Sequence, residues 1–358
     1  MSLFDLKTVL AGGTPAHTPY TVYGSMIKDR RNPDWQQLFE RGLLIIDHDH
    51  DMICCREEGV TWSEERSGSP GAERVVQRKT TPIGVIEQVY ECGRKVRHWL
   101  ANPDDYRVMA WIMRHTTVEL HAELWEKASF DLGNKGLVIP VGYHTITKTA
   151  EGDEHRRDEA TRSPLQKINV DWAGTEQFCM DVGSELPELF DLYNAGVDFF
   201  TRLNNAFAAC PAPYIKYLEN LTISMIGTRR YEELLLPVYD KAADVLDPAG
   251  KKLMVHFDGE LQAIAPAISR GRFHIIESLT EPPEGNMLYD ECRAAWPGKV
   301  LWGNLNLGCY SLLPDELRAE VRGRLERAGR QGFALEISEY LPDNWRLSLP
   351  IVLDEVEK

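Results

Sequence analysis

The sequence predicts an α/β fold of repeating β/α units, laid out as a (β/α)8 TIM-type barrel. Two observations carry this. Residues 253–256, 273–276, 300–302 and 333–335 are short apolar runs, and each ends in polar or charged residues: His256 and Asp258, Glu277, Asn304 and Asn306, then Glu336 and Glu339. Helix-like segments follow the first three, so strand and helix alternate as βα units do. In parallel barrels the carboxyl ends of the strands carry the chemistry, and here the polar residues gather at those ends.

A chain of 358 residues is long enough for one large barrel or two ordinary domains. Hydrophobic content of 43% and charged content of 27% are those of a globular protein. The net charge of −15 argues against binding a nucleic-acid backbone or an anionic membrane, since both require basic surface. Seven cysteines, an odd number without a CxxC pair, point to a reducing compartment. The first residues lack an export signal, and no apolar run reaches the ~20 residues of a membrane span. The expected location is cytoplasmic.

Along the chain, residues 20–23 read as a strand and 34–41 as a short helix. Short alternating runs at 43–46, 60–62, 74–79 and 84–89 read as antiparallel strands. They suggest a strand-rich elaboration over residues 1–100. Asn102 caps a helix whose apolar positions continue toward Val118 and Trp125. Residues 136–141 form a buried-type strand, 150–163 a charged, mobile loop or lid, 185–208 a long amphipathic helix, 214–225 a strand-to-loop passage and 231–246 a further helix. The main barrel units are expected over 130–345. No Pro/Ser linker divides the chain, so a single domain over 1–358 is expected.

Several positions then resemble the uroporphyrinogen decarboxylase superfamily, which includes zinc- and corrinoid-linked methyltransferases. Glu219-Asn220-Leu221, a helix-ending Leu236-Pro237, a His256-x-Asp258-Gly259 turn and a Gly303-Asn304-Leu305 turn stand in that family's order. Thr81-Pro82-Ile83-Gly84 is a weaker match. The resemblance implies a distorted (β/α)8 barrel with a deep cleft at the strand carboxyl ends, and a homodimer. The decarboxylase branch places two arginines near its start to meet the substrate's carboxylates. Here Ile27 replaces the first, Arg31 can serve as the second, and Glu339 stands where that branch has a histidine. The zinc branch has His-x-Cys and a later cysteine. Here Asp258 replaces the first cysteine and none follows Cys309.

Read from the residues, His256 and Asp258 point to one face because the strand period is two. They make either a metal-ligand pair or a general acid with its orienting carboxylate, with Glu336 and Glu339 as further oxygen ligands. Three N/O ligands and an open position suit catalytic zinc. The alternative is a plain His-Asp hydrogen bond closing the turn. Glu336 and Glu339, buried together, would raise one another's pKa. Glu277, Asn304, Arg31, His144 and Trp302 are candidate substrate contacts, with Trp302 and Trp172 placed to stack on a flat substrate. The run Asp47-His48-Asp49-His50-Asp51 looks metal-like but alternates between faces when extended. No phosphate-binding glycine loop, GxSxG or HExxH pattern is present.

These readings favour a methyltransferase moving a methyl group between a small methylated compound and a corrinoid protein, with zinc as the candidate metal. Decarboxylation of uroporphyrinogen or another polycarboxylate, which would need no metal, is the second reading. A non-catalytic ligand-binding barrel is the third.

Overall fold

The computed structural model describes residues 2–358. In chain order the strands are β1 (Tyr20–Tyr23), β2 (Leu44–Asp49), β3 (Ile53–Ser67), β4 (Arg74–Thr81) and β5 (Gly84–Glu91). Then come β6 (Arg94–Arg97), β7 (Thr116–Leu120), β8 (Gly136–Pro140), β9 (Gly142–Thr149) and β10 (Glu154–Ala160). The last are β11 (Tyr214–Tyr217), β12 (Lys252–His256), β13 (Ile275–Thr280), β14 (Val300–Leu305) and β15 (Phe333–Ile337).

The described residues divide into two compact units. The first holds those up to Asp49, with Glu123–Val141 and Pro211–Lys358. Its eight strands run β1-β2-β8 at one side and β11-β12-β13-β14-β15 at the other, with β15 paired back to β1. Every neighbouring pair is parallel. β8 and β11 pack against each other without a ladder, so the barrel is nearly closed. Helices such as Leu236–Leu246, Ala265–Arg270, Tyr289–Ala295 and Pro314–Ala328 fall between successive strands. Strands covered on both faces read as continuous apolar runs, which is why the last third of the chain was so legible. Helix Leu3–Leu10 closes the amino end: Leu6, Val9 and Leu10 pack in one core with Met254, Ile275 and Val300.

The second unit comprises His50–Ala122 and Gly142–Cys210. It leaves the barrel chain after β2 and again after β8. Its sheet runs β10-β9-β3-β4-β5-β6, with β7 pairing to β3. Asn102 caps helix Pro103–Arg114 by accepting from the backbone N–H groups of Asp104 and Asp105.

Several local expectations are corrected. β1 and β2 lie within residues 1–49 and belong to the barrel, and residues 43–46 pair in parallel rather than antiparallel fashion. The helix after Asn102 ends at Arg114; β-branched Thr116, Thr117 and Val118 leave it for β7, and a new helix, Ala122–Leu132, carries Trp125. Half of the expected lid at 150–163 is β10, laddered to β9 from Glu154–Lys148 through Ala160–Gly142. Its charges are absorbed by pairs such as Arg156 with Asp51 and Arg157 with Glu159. Leu236-Pro237 opens a helix rather than ending one, and Gly303 lies inside β14. There a Cβ would meet the Tyr289 Oη at 2.6 Å, so only glycine fits.

Candidate active site

At the carboxyl ends of the barrel strands, alternation aims one side chain per strand inward. His256 ends β12, and its register partner on β13 is Glu277. The His256 Nδ1 lies 2.8 Å from Glu277 Oε2, and the Nε2 lies 3.0 Å from Glu339 Oε1 and 3.8 Å from Asp258 Oδ2. Glu339 follows β15, and Asp258 lies two residues beyond His256. The expected trio of His256, Asp258 and Glu339 is therefore brought together, with one ligand atom from each lying within 4.8 Å of the others.

Beneath it lies a charged group that sequence reasoning missed. Lys216 of β11 is fully buried and pairs with Glu277. Its ammonium sits 4.7 Å over the Tyr23 ring and 3.4 Å from His48 Nε2. The Tyr23 hydroxyl donates to Glu277 at 2.6 Å and lies 3.4 Å from Glu336 Oε1. Glu277 thus serves His256, Lys216 and Tyr23 at once. A lysine inside the four-residue apolar strand Tyr214-Ile215-Lys216-Tyr217 was the available signal, because lysine is almost never buried without a partner.

Electrostatics separate the carboxylates. Burial pushes Glu277 up, but Lys216 and His256 outweigh it and hold its carboxyl far below the usual range. Glu336 is pushed the other way: burial first, then the Glu277 charge, raise it well above the carboxylate range and outweigh the lowering by Lys216. Its Oε2 is buried without a hydrogen-bond partner. Glu339 is lowered chiefly by its hydrogen bond from His256. The expected mutual raising of Glu336 and Glu339 is thus corrected: Glu336 goes up and Glu339 goes down. Burial lowers His256, yet Glu277 and Glu339 lift it to about 9. Asp258 is raised, mainly by burial.

The strand ends open on a cavity of about 290 Å³ lined by Asp258, Thr280, Asn304, Ser338, Glu339 and Tyr340, among others. The Asn304 amide donates to the Thr280 hydroxyl at 3.2 Å, while its Oδ1 has no hydrogen-bond partner. β13 is bulged between Ile276 and Leu279, and Ser278 takes a left-handed φ of 58°. Bulges and such strained residues recur beside functional sites. The bulge sets Ser278 Oγ 3.4 Å from Glu339 Oε1.

Other expected contacts lie elsewhere. Arg31 is exposed and paired with Asp29. Trp302 is core, 1% exposed, with its indole N–H donating to Thr21; a ring on an inward-facing position of a packed barrel is consumed by packing. Glu336 is displaced from the ligand trio by its place below it. His144 lies in the second unit on β9, its Nδ1 3.2 Å from the His50 carbonyl. Trp172 is likewise buried in that unit. The acidic run splits by face, with Asp47 held by Arg30, Asp51 held by Arg156 and His48 turned toward Tyr23 and Lys216.

The fold and this site define a parallel β/α barrel with a histidine–carboxylate centre at its strand carboxyl ends. No protein-family model matches the sequence, and no curated protein does. Among solved structures, a methyltransferase from Methanosarcina mazei is similar with a TM-score of 0.56, at 10% identity over 100% of both chains. A B12-independent methionine synthase from Shewanella sp. W3-18-1 in complex with selenomethionine scores 0.43, at 9% identity over 90% of this chain and 82% of that one. A D-psicose 3-epimerase in the presence of D-fructose scores 0.39, at 9% identity over 95% and 96%. At such identities the likeness shows the fold alone, and the two lower scores carry no argument. Among the described residues no helix is long and apolar enough to cross a membrane.

Proposed function

We propose that this chain is a metal-dependent methyltransferase of the uroporphyrinogen decarboxylase superfamily, moving a methyl group between a small methylated compound and a corrinoid protein. The observation that carries the reading is the double commitment of His256. Its Nδ1 is held by Glu277 while its Nε2 faces Glu339 and Asp258. A carboxylate behind a ligating imidazole fixes its tautomer and orientation and is the usual support for a metal-bound histidine. The donor set of one nitrogen and two carboxylates fits a divalent cation, with zinc the candidate.

His256, Asp258 and Glu339 would hold the metal, which supplies Lewis-acid activation of the group being transferred. The rest falls to the chain. Glu277 orients His256 and pairs with the buried Lys216. Glu336, raised well above the carboxylate range and one hydrogen bond from Tyr23, would hold a proton close to the reacting end for a leaving group. Asn304 lines the 290 Å³ cavity, where its amide donates to the Thr280 hydroxyl beside the substrate space. A corrinoid acceptor, zinc and a homodimer are parts of this reading, and they rest on the sequence resemblance.

Decarboxylation of a porphyrinogen is the weaker reading. A substrate with eight carboxylates needs converging cations. Arg31 is instead exposed on Asp29 and Arg30 is spent on Asp47, while the cavity contributes Asp258, Glu284 and Glu339. The test is turnover of methylamines, methoxyarenes and a methylated corrinoid by zinc-loaded protein, with His256→Ala alongside. Methyl transfer lost in the variant supports the proposal. Decarboxylation of uroporphyrinogen without methyl transfer overturns it.

A further inference from the structure

The strand-rich unit brings a second, chemically different group together. β7 lies antiparallel to β3 with Glu119 directly opposite Cys54. His121 stands two residues beyond Glu119, with its backbone N–H on the Met52 carbonyl at 2.7 Å. Directly opposed residues share a face and so do residues two apart. Cys54, Glu119 and His121 therefore project from one face, and one ligand atom from each lies within 4.8 Å of the others. The thiol is buried, the imidazole half-buried and the carboxylate exposed, so the group is held by the sheet on one side and open on the other.

We infer that Cys54, Glu119 and His121 form a zinc site in this unit, independent of the barrel centre. The reasoning is chemical. A thiolate, an imidazole and a carboxylate on a small radius are a borderline-soft donor set, matched to zinc rather than to magnesium or calcium. Three protein ligands leave the fourth position to water on the open side. Zinc takes the thiolate form, so binding sends the Cys54 proton to solvent. Two cations neighbour the group. Arg56 lies 3.5 Å from the Glu119 carboxylate, yet it also holds Glu154 at 2.8 Å. Arg56 therefore stays paired when Glu119 turns to a metal. Arg156, the other, is held by Asp51 and Asp158. A bound ion would tie the end of edge strand β7 to the central strand β3, just before the chain re-enters the barrel unit at Glu123.

Cobalt(II) distinguishes this site from the barrel centre, because His256, Asp258 and Glu339 contain no sulfur. Cobalt added to the full chain is expected to give thiolate-to-metal charge-transfer absorption in the near ultraviolet, abolished by zinc. Cys54→Ser should remove the band. The exposed-side variants Glu119→Gln and His121→Gln, which leave the buried position intact, should weaken cobalt affinity at least as much as loss of a supporting contact does, roughly 10–100-fold. His256→Ala should leave the band in place. Absence of the band in the wild-type chain overturns the inference, as does a band that survives Cys54→Ser or binding indifferent to both Gln variants.

Discussion

His256 and Glu277 face one another from adjacent parallel strands, Nδ1 to Oε2 at 2.8 Å, and the same carboxylate neutralises the fully buried Lys216. One glutamate therefore both aims the candidate metal ligand and keeps a cation inside the barrel. Removing it should disturb site chemistry and stability together.

Glu277→Gln is expected to lower metal affinity roughly 10–100-fold, the loss typical when the support of a ligating histidine goes. It leaves Lys216 without its anion, so stability should fall by about 3–5 kcal/mol. The His256 ring should titrate lower than in the wild type. Calorimetric metal titration, chemical denaturation and ring-proton NMR read these three effects. Unchanged affinity with an unchanged histidine titration would refute the orienting role.

The metal-free protein should lose stability as pH rises. His256 is raised in the folded state to about 9, against an unfolded value of ~6.5. A raised histidine contributes fully below its unfolded pKa, and that contribution is lost as pH climbs through the folded value. Between pH ~6.5 and ~9 the chelator-treated chain should lose on the order of 3 kcal/mol. Urea denaturation across that window, with His256→Gln as the shallower reference, checks it. A wild-type profile as flat as the variant's would count against the His256–Glu277 pairing.

Lys216→Met and Glu277→Gln should not add. Glu277→Gln strands the buried Lys216 and Lys216→Met removes one of the cations facing Glu277, whereas the double variant removes the pair. Its destabilisation should fall short of the sum by roughly 1 kcal/mol or more, within the range for residues in one network. Additivity would mean that the two side chains are not in contact.

Trp302 and Arg31 separate packing from ligand contact. Trp302→Ala should cost about 3–5 kcal/mol, as truncation of a buried aromatic does, whereas Trp302→Phe should leave metal affinity unchanged. Arg31→Ala should alter neither stability nor ligand binding. Loss of polycarboxylate binding in Arg31→Ala would restore the decarboxylase reading.

The barrel was legible because its signals are local. Strands covered on both faces show as short apolar runs, and polar residues at their carboxyl ends stand next to those runs in sequence, which is how His256, Asp258, Glu277 and Glu339 stand out as candidates. Errors arose where pairing partners were remote. The charged residues 154–160 form β10 because β9 offers a ladder, and Trp302 is core because Thr21, 281 positions away, receives its indole N–H.

Local periodicity in the chain thus settled the strand–helix rhythm and the faces on which side chains lie. Barrel closure and register settled which side chains meet. Tyr23, Lys216, Glu277 and Glu336 come from four strands, and Lys216 is 193 residues from Tyr23. Their divergence, with Glu336 raised and Glu277 lowered beside Lys216, arises only when burial strips away water and forces one carboxylate to serve several donors. That exclusion of solvent belongs to the assembled barrel and to no segment of it.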